Sequence, residues 1–228
     1  MDTHILRQKM VEDQLKSRGI NDGKVISAFL EIPREYFISQ NNKNEAYLDT
    51  PLPIGEGQTI SQPYTTAFMT KLLELKGDEK VLEIGTGSGY SSAILSKLCK
   101  KVYSIEIIPI LADKAKDVLK RLNIANVEVK VSDGSVGLRQ YAPYDAIVVT
   151  AAAPEVPALL ISQLKMGGKL VVPVGNSILQ QMLKVIKTES GIKIESHGGF
   201  RFVPLVGKFG WKGKGNALGK GPILKEKS

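Results

Sequence analysis

With 228 residues, 43% apolar and 24% charged, the chain has an ordinary globular composition and enough length for a sizeable core. A single cysteine (Cys99) excludes an internal disulfide, and two histidines (His4 and His197) disfavour a zinc centre or a histidine-based triad. The lack of a long apolar run or signal-like start points to a cytoplasmic protein without a membrane partner. The net charge of +8 concentrates between Lys208 and Ser228, where six lysines face one acid (Glu226) among interleaved glycines; this reads as a mobile, solvated basic tail, with no specific nucleic-acid partner.

In chain order, Ile5, Leu6, Met10, Val11 and Leu15 set a helical rhythm that stops at Gly19. Asn21 or Asp22 can cap a second helix carrying Val25, Ile26, Phe29 and Leu30, which ends before Pro33. From Pro33 to Pro63, four prolines and the pair Gly55 and Gly57 predict ordered loop with little regular structure. Its aromatic and apolar residues, Tyr36, Phe37, Tyr47 and Ile54, argue that this loop forms part of a site. Ser61 is a candidate N-cap for the next helix, 62–75, with Pro63 in its first turn.

Strands are then expected near 80–84, 101–106, 126–131 and 144–149, with helices near 89–98 and 109–122. Three late strands follow near 169–174, 179–187 and 192–203. This alternation predicts an α/β doubly wound, Rossmann-like sheet with a late antiparallel edge and an N-terminal helical extension. Ligands of such sheets bind outside the carboxyl ends of the strands.

Three sequence features fall at those strand ends. The stretch K-V-L-E-I-G-T-G-S-G-Y (80–90) places Gly85, Gly87 and Gly89 at alternate positions after an apolar run. Glycines there permit φ > 0 and let a ligand approach where a Cβ would block it. Glu106, 21 residues after Gly85, suits a carboxylate bonding a ribose hydroxyl. Asp133-Gly134 follows the third strand, where Asp133 can accept from an adenine amino group or simply serve the turn. The G-x-G-x-G spacing, with Glu83 two positions before it, resembles motif I of class I S-adenosylmethionine (SAM) methyltransferases more than a dinucleotide fingerprint. A carboxylate at Glu83 would favour the amino group and sulfonium of that donor. A ligand-free turn, or a nucleotide site of another kind, remains open from this stretch alone.

The acceptor is addressed by other segments. The fourth strand runs into V-T-A-A-A-P-E (149–155), which leaves room at Ala151–Ala153 but supplies no general base and no N/D-P-P-Y/F motif. Together with M-V-E-D-Q-L-K-S-R-G-I (10–20), I-P-R-E-Y-F (32–37), A-Y-L-D-T-P-L-P-I-G-E-G-Q-T-I-S-Q-P (46–63), Q-L-K-M-G-G-K-L-V-V-P-V-G (163–175) and F-V-P-L-V-G (202–207), the sequence resembles the protein-L-isoaspartate (D-aspartate) O-methyltransferase family over about residues 7–211. The combination of G-Q-T-I-S-Q-P with V-T-A-A-A is the specific part, because the glycine motif is shared by many methyltransferases.

The resemblance implies SAM as methyl donor, isoaspartyl proteins and peptides as acceptors, and repair of aged aspartyl and asparaginyl residues through a succinimide. It implies Ser61 as the active-site serine, with Gln58, Thr59 and Ile60 in a loop closing over the cofactor. Glu83, Gly85, Gly87, Gly89, Glu106, Asp133 and Gly134 match its SAM positions; Thr66 and Val206 align with further contacts in relatives whose side chains differ. S-D-G at 132–134 replaces the commoner G-D-G while retaining Asp133. The expected organisation is one class I methyltransferase domain over 1–207, with helices and the active-site loop in 1–78, the SAM-binding sheet core in 79–207, and the tail in 208–228. A monomer is expected, without a metal. The chief alternative is a SAM enzyme acting on RNA or a small molecule. A non-catalytic interaction module is opposed by the intact Gly85–Gly89 turn, Glu106 and Ser61.

Overall fold

Helix α1 (Thr3–Met10) starts at Asp2, whose carboxylate accepts from the His4 N–H at 2.9 Å. It widens into a π-turn at Val11–Leu15, tightens at Lys16–Arg18, and stops where Gly19 turns to φ 83°. Asp22 caps α2 (Gly23–Glu31) by accepting from the Lys24 and Val25 N–H groups. These helices bury Met10, Val11, Leu15, Val25 and Phe29 in one apolar cluster, which fixes them as a wall beside the sheet rather than an independent arm. The computed structural model describes residues 2–212; the mobile tail expected from the sequence lies outside the described residues from 213 onward.

The segment expected as irregular loop instead holds a hairpin, β1 (Leu52–Gly55) and β2 (Gln58–Ile60). Its two-residue turn places Glu56 and Gly57 at φ 54° and 68°, the pairing that a primed hairpin turn requires. Glu-Gly is a weaker hairpin signal than Asn-Gly, and Pro51 and Pro53 mask strands this short.

The Ser61 cap also differs from expectation. Helix α3 (Pro63–Leu73) has Gln62 at its N-cap with no side-chain cap bond. Pro63 has no N–H to satisfy, and the next one, on Tyr64, donates 3.0 Å to Asp49 Oδ1 instead. Asp49 also receives Arg18 at 2.6 Å, so it ties the N-terminal wall to α3 and leaves Ser61 free of capping work.

Strands β3 (Lys80–Ile84), β4 (Lys101–Glu106), β5 (Val127–Val131), β6 (Tyr144–Val149), β7 (Leu164–Gly175), β8 (Gln180–Thr188) and β9 (Gly191–Phe200) form one sheet in the order β5-β4-β3-β6-β7-β8-β9. The first five are parallel and β7–β8–β9 antiparallel, the Rossmann-like arrangement with a late antiparallel edge. Helices α4 (Tyr90–Ser96), α5 (Pro109–Arg121) and α6 (Ala158–Ser162) complete the layers; α6 was not anticipated, because five residues are too few to show a helical period.

Alternation along the central strands fills both faces. Val81, Val148 and Val171 pack with Met69 and Leu73 of α3, while Leu82, Ile147 and Leu170 pack with Leu160 of α6 on the other side. The central strands β3 and β6 are therefore nearly continuous apolar runs, whereas the edge strand β5 alternates apolar and charged residues. Among the described residues, no helix is long and apolar enough to cross a membrane.

Candidate active site

The site begins where β3 ends. Gly85, Gly87 and Gly89 take φ 98°, 53° and 87°. A Cβ on Gly85 would collide with Thr150 Oγ1, which itself donates to the Gly85 carbonyl at 2.6 Å and so latches the tips of β3 and β6 together. The Gly87 N–H donates 2.8 Å to Glu106 Oε2, and the Ile108 N–H donates 3.0 Å to Glu106 Oε1. Glu106 thus fixes two loops while each carboxylate oxygen keeps a lone pair for a ligand.

Between these tips lies a cavity of about 410 Å³. Its floor includes Gly85, Gly87, Glu106 and Gly134. Gln58, Thr59, Ile60 and Ser61 from the end of the hairpin form one wall, with Thr66 of α3 above them. Val206 closes it from the chain's later end. A Cβ on Gly134 would collide with Ile84 Cγ2, so this glycine is required where β5 turns toward the cavity. Tyr90 and Thr150 also line the space. In sequence Tyr90 only closes the glycine stretch 80–90, and the small residues after Thr150 mask it. Burial pushes the Tyr90 hydroxyl up to about 12, against the pull of the buried Arg34 cation 5.0 Å from its ring.

Three of the expected cofactor residues lie elsewhere. Glu83 is fully buried behind the turn, where its Oε2 accepts from the hydroxyls of Ser92 on α4 and Ser104 on β4. Burial raises its pKa, and the serine hydroxyls only partly offset that. Glu83 faces away because β3 alternates: Leu82 and Ile84 point to one face, Val81 and Glu83 to the other. It clamps α4 to the sheet instead of facing a sulfonium. Gly89 is the N-cap of α4, and a Cβ there would press on Ala115 of α5 at 3.2 Å, so it serves helix packing.

Asp133 is the third. Its Oδ1 accepts from the Ser135 N–H and hydroxyl at 2.8 and 2.6 Å, and its Oδ2 accepts from the Lys208 N–H at 2.7 Å. Burial pushes this carboxyl up, but the Lys208 and Ser135 donors outweigh it and hold it below the usual range. The carboxylate therefore anchors a strap, residues 203–211, rather than lining the cavity. The strap is sewn to Ala152 by the Leu205 N–H at 2.8 Å and by Trp211 Nε1 at 3.0 Å, and the Phe209 N–H reaches Ser135 Oγ. The stretch read as tail from Lys208 thus starts inside the site: 208–211 belong to the strap.

A second cavity, about 460 Å³, opens next to the first. Thr59, Ser61, Thr150 and Val203 line both, forming a shared wall. The second space is completed by Pro51, Gln62, Thr65, the β7–β8 loop at Ser177 and Ile178, and Arg201 and Phe202 after β9. Among the described residues, Arg201 is its one charged lining residue.

A model of the family described as protein-L-isoaspartate(D-aspartate) O-methyltransferase (PCMT) matches residues 6–210. A Geobacter metallireducens protein-L-isoaspartate O-methyltransferase is 54% identical over 212 residues, covering 92% of this chain and 98% of its own. One from Methanoculleus marisnigri is 51% identical, with 91% and 94% covered. Among solved structures, a protein-L-isoaspartate O-methyltransferase superposes with TM-score 0.82 at 32% identity, covering 90% of this chain and 67% of that one. A Plasmodium falciparum beta-aspartate methyltransferase (PCMT) in complex with S-adenosyl-L-homocysteine superposes with TM-score 0.77 at 26% identity, covering 90% and 99%.

Proposed function

The chain belongs to the protein-L-isoaspartate(D-aspartate) O-methyltransferase family, and from that premise we propose how its two cavities perform the reaction. The enzyme transfers the SAM methyl group to the α-carboxylate of L-isoaspartyl residues in damaged proteins, and the ester then collapses to a succinimide. The observation that carries the residue assignment is the wall of Thr59, Ser61, Thr150 and Val203 common to both cavities. A donor held on one side and an acceptor on the other meet there.

The first cavity suits the cofactor. It stands outside the parallel strand tips, with Gly85, Gly87 and Gly134 on its lining and Glu106 presented at the tip of β4. We assign Gly85, Gly87, Gly134 and Glu106 to its floor, Gln58, Thr59, Ile60 and Thr66 to its wall, and Val206 to its cover. When bound, SAM supplies an electrophilic sulfonium methyl. Glu83, Gly89 and Asp133 act one layer back: Glu83 holds α4, Gly89 lets α4 approach α5, and Asp133 holds the strap that carries Val206.

The second cavity takes the acceptor, whose α-carboxylate is ionised at neutral pH and needs no base to attack. This accounts for a site without histidine. Ser61, with no capping duty, donates a hydrogen bond that orients the carboxylate toward the methyl carbon, and Arg201 favours an anion at the entrance. Because one chain lines both spaces, a monomer suffices. Burial pushes the Cys99 thiol up to about 12, so it stays protonated and takes no part in the chemistry.

Labelled SAM supplied with an isoaspartyl peptide and its normal aspartyl twin tests the reading. Base-labile label on the isoaspartyl peptide alone is expected. Label on neither, with SAM bound, would favour an RNA or small-molecule acceptor.

A further inference from the structure

At the rim of the acceptor cavity an isoleucine is held in water. Ile178 is 66% exposed and Leu179 next to it 51%, although the loop that carries them is well anchored. Asn176 Oδ1 accepts from the Ile178 and Leu179 N–H groups at 2.8 and 3.0 Å. Buried Gln180 donates 2.5 Å to the Asn176 carbonyl and accepts 2.8 Å from the Phe202 N–H. That one amide ties the β7–β8 loop to the segment bearing Arg201 and Phe202. Leu179 lies across Gly199 of β9, where a Cβ would meet Leu179 Cδ1 at 3.2 Å. The loop is thus pinned from three sides, and its exposed apolar side chains are presented in a fixed place.

We propose that Ile178, with Leu179 behind it, is a subsite for an apolar side chain next to the isoaspartyl residue of the substrate chain. The inference rests on the acceptor reading above and deepens it. Ile178 lines the same cavity as Ser61, so a chain whose carboxylate reaches Ser61 must run out past the loop. Among the described residues the rim has an apolar ledge and one cation, with no carboxylate, which matches a carboxylate-bearing segment with an apolar neighbour.

The ledge gives a preference that an exposed isoleucine can supply and a hydroxyl cannot. Two isoaspartyl peptides are compared, one with glycines on both sides of the damaged residue and one with leucine beside it. The native enzyme favours the leucine peptide in kcat/KM by about five-fold, the size expected for partial burial of one apolar side chain. Ile178→Ser brings that ratio close to one, the change lying in KM, with SAM affinity by calorimetry unaltered; Ile178→Val retains most of the preference. A ratio near one in the native enzyme, or the same ratio in Ile178→Ser, overturns the subsite while leaving the function standing. Methylation of neither peptide by a SAM-binding native enzyme overturns the acceptor reading and the subsite with it.

Discussion

The first cavity, proposed for the cofactor, stands on the tips of the parallel strands, whereas the second, proposed for the acceptor, is walled largely by segments added to the sheet. In the first, Gly85 and Thr150 follow the buried strands β3 and β6, Glu106 ends β4, and Gly134 comes after the half-buried edge strand β5, so their places are set by the strand ladder. In the second, Ser61 follows a hairpin, Ile178 sits between the antiparallel strands β7 and β8, and Arg201 follows the edge strand β9. The strand tips can hold a methyl donor to a fixed position. The added segments, each fixed by a few side-chain bonds, would decide what that donor meets, so they are the part whose sequence can vary without disturbing the core.

The sharpest way to break this comparison is at the shared wall. Ser61→Ala removes one hydroxyl and no capping bond. If the wall divides donor from acceptor as proposed, kcat falls about 10- to 100-fold, while SAM affinity by calorimetry stays within about two-fold, since the lost hydrogen bond serves the attacking carboxylate. Unchanged turnover would remove Ser61 from the chemistry and leave the shared wall as packing only.

Asp133→Asn tests how firmly the added strap is tied to the strand tips. Its amide must turn a donor toward either Ser135 or the Lys208 N–H, so one of the three present bonds is lost. The strap then loosens. SAM affinity should weaken about three- to ten-fold through Val206, as expected for loss of one charge-assisted bond. Trp211, the one tryptophan of the chain and bonded to Ala152, should shift its emission to longer wavelength. Weaker SAM binding with unchanged Trp211 emission would return Asp133 to direct contact with the cofactor.

The same division explains how much was legible in the sequence. Parallel strands announce themselves as apolar runs, and G-T-G-S-G marks the turn between β3 and α4, so the sheet and Gly85, Gly87, Glu106 and Gly134 could be located from residues alone. The acceptor side carried weaker signals: three- and four-residue strands among prolines, a Glu-Gly turn, and a cap for α3 supplied by Asp49 from 15 residues upstream. Local pattern cannot reveal a partner chosen by tertiary folding. Period two, by contrast, already contained the correction at Glu83: with Leu82 and Ile84 in the core on one side, Glu83 had to face α4. Motif spacing pointed to the ligand, and strand alternation decided the direction.

Glu83→Gln probes the foundation of the cofactor side and carries the smallest effect. Burial raises the folded-state pKa of Glu83 above its ordinary value of 4.5. Between those two values the folded chain keeps a proton that the unfolded chain has released. Its contribution to stability is therefore fully present below about pH 4.5 and is lost as pH rises through the raised value. Glutamine can accept from Ser92 and Ser104 through its carbonyl oxygen but cannot ionise, so it removes this dependence. Whatever constant cost its amide adds, the difference in Tm between variant and native protein should move in the variant's favour from pH 5 to pH 8, by a few degrees at most. Only that slope is diagnostic. A difference independent of pH would mean that Glu83 titrates as it does in water, and that the clamp between α4 and β4 is a solvated carboxylate rather than a buried acid.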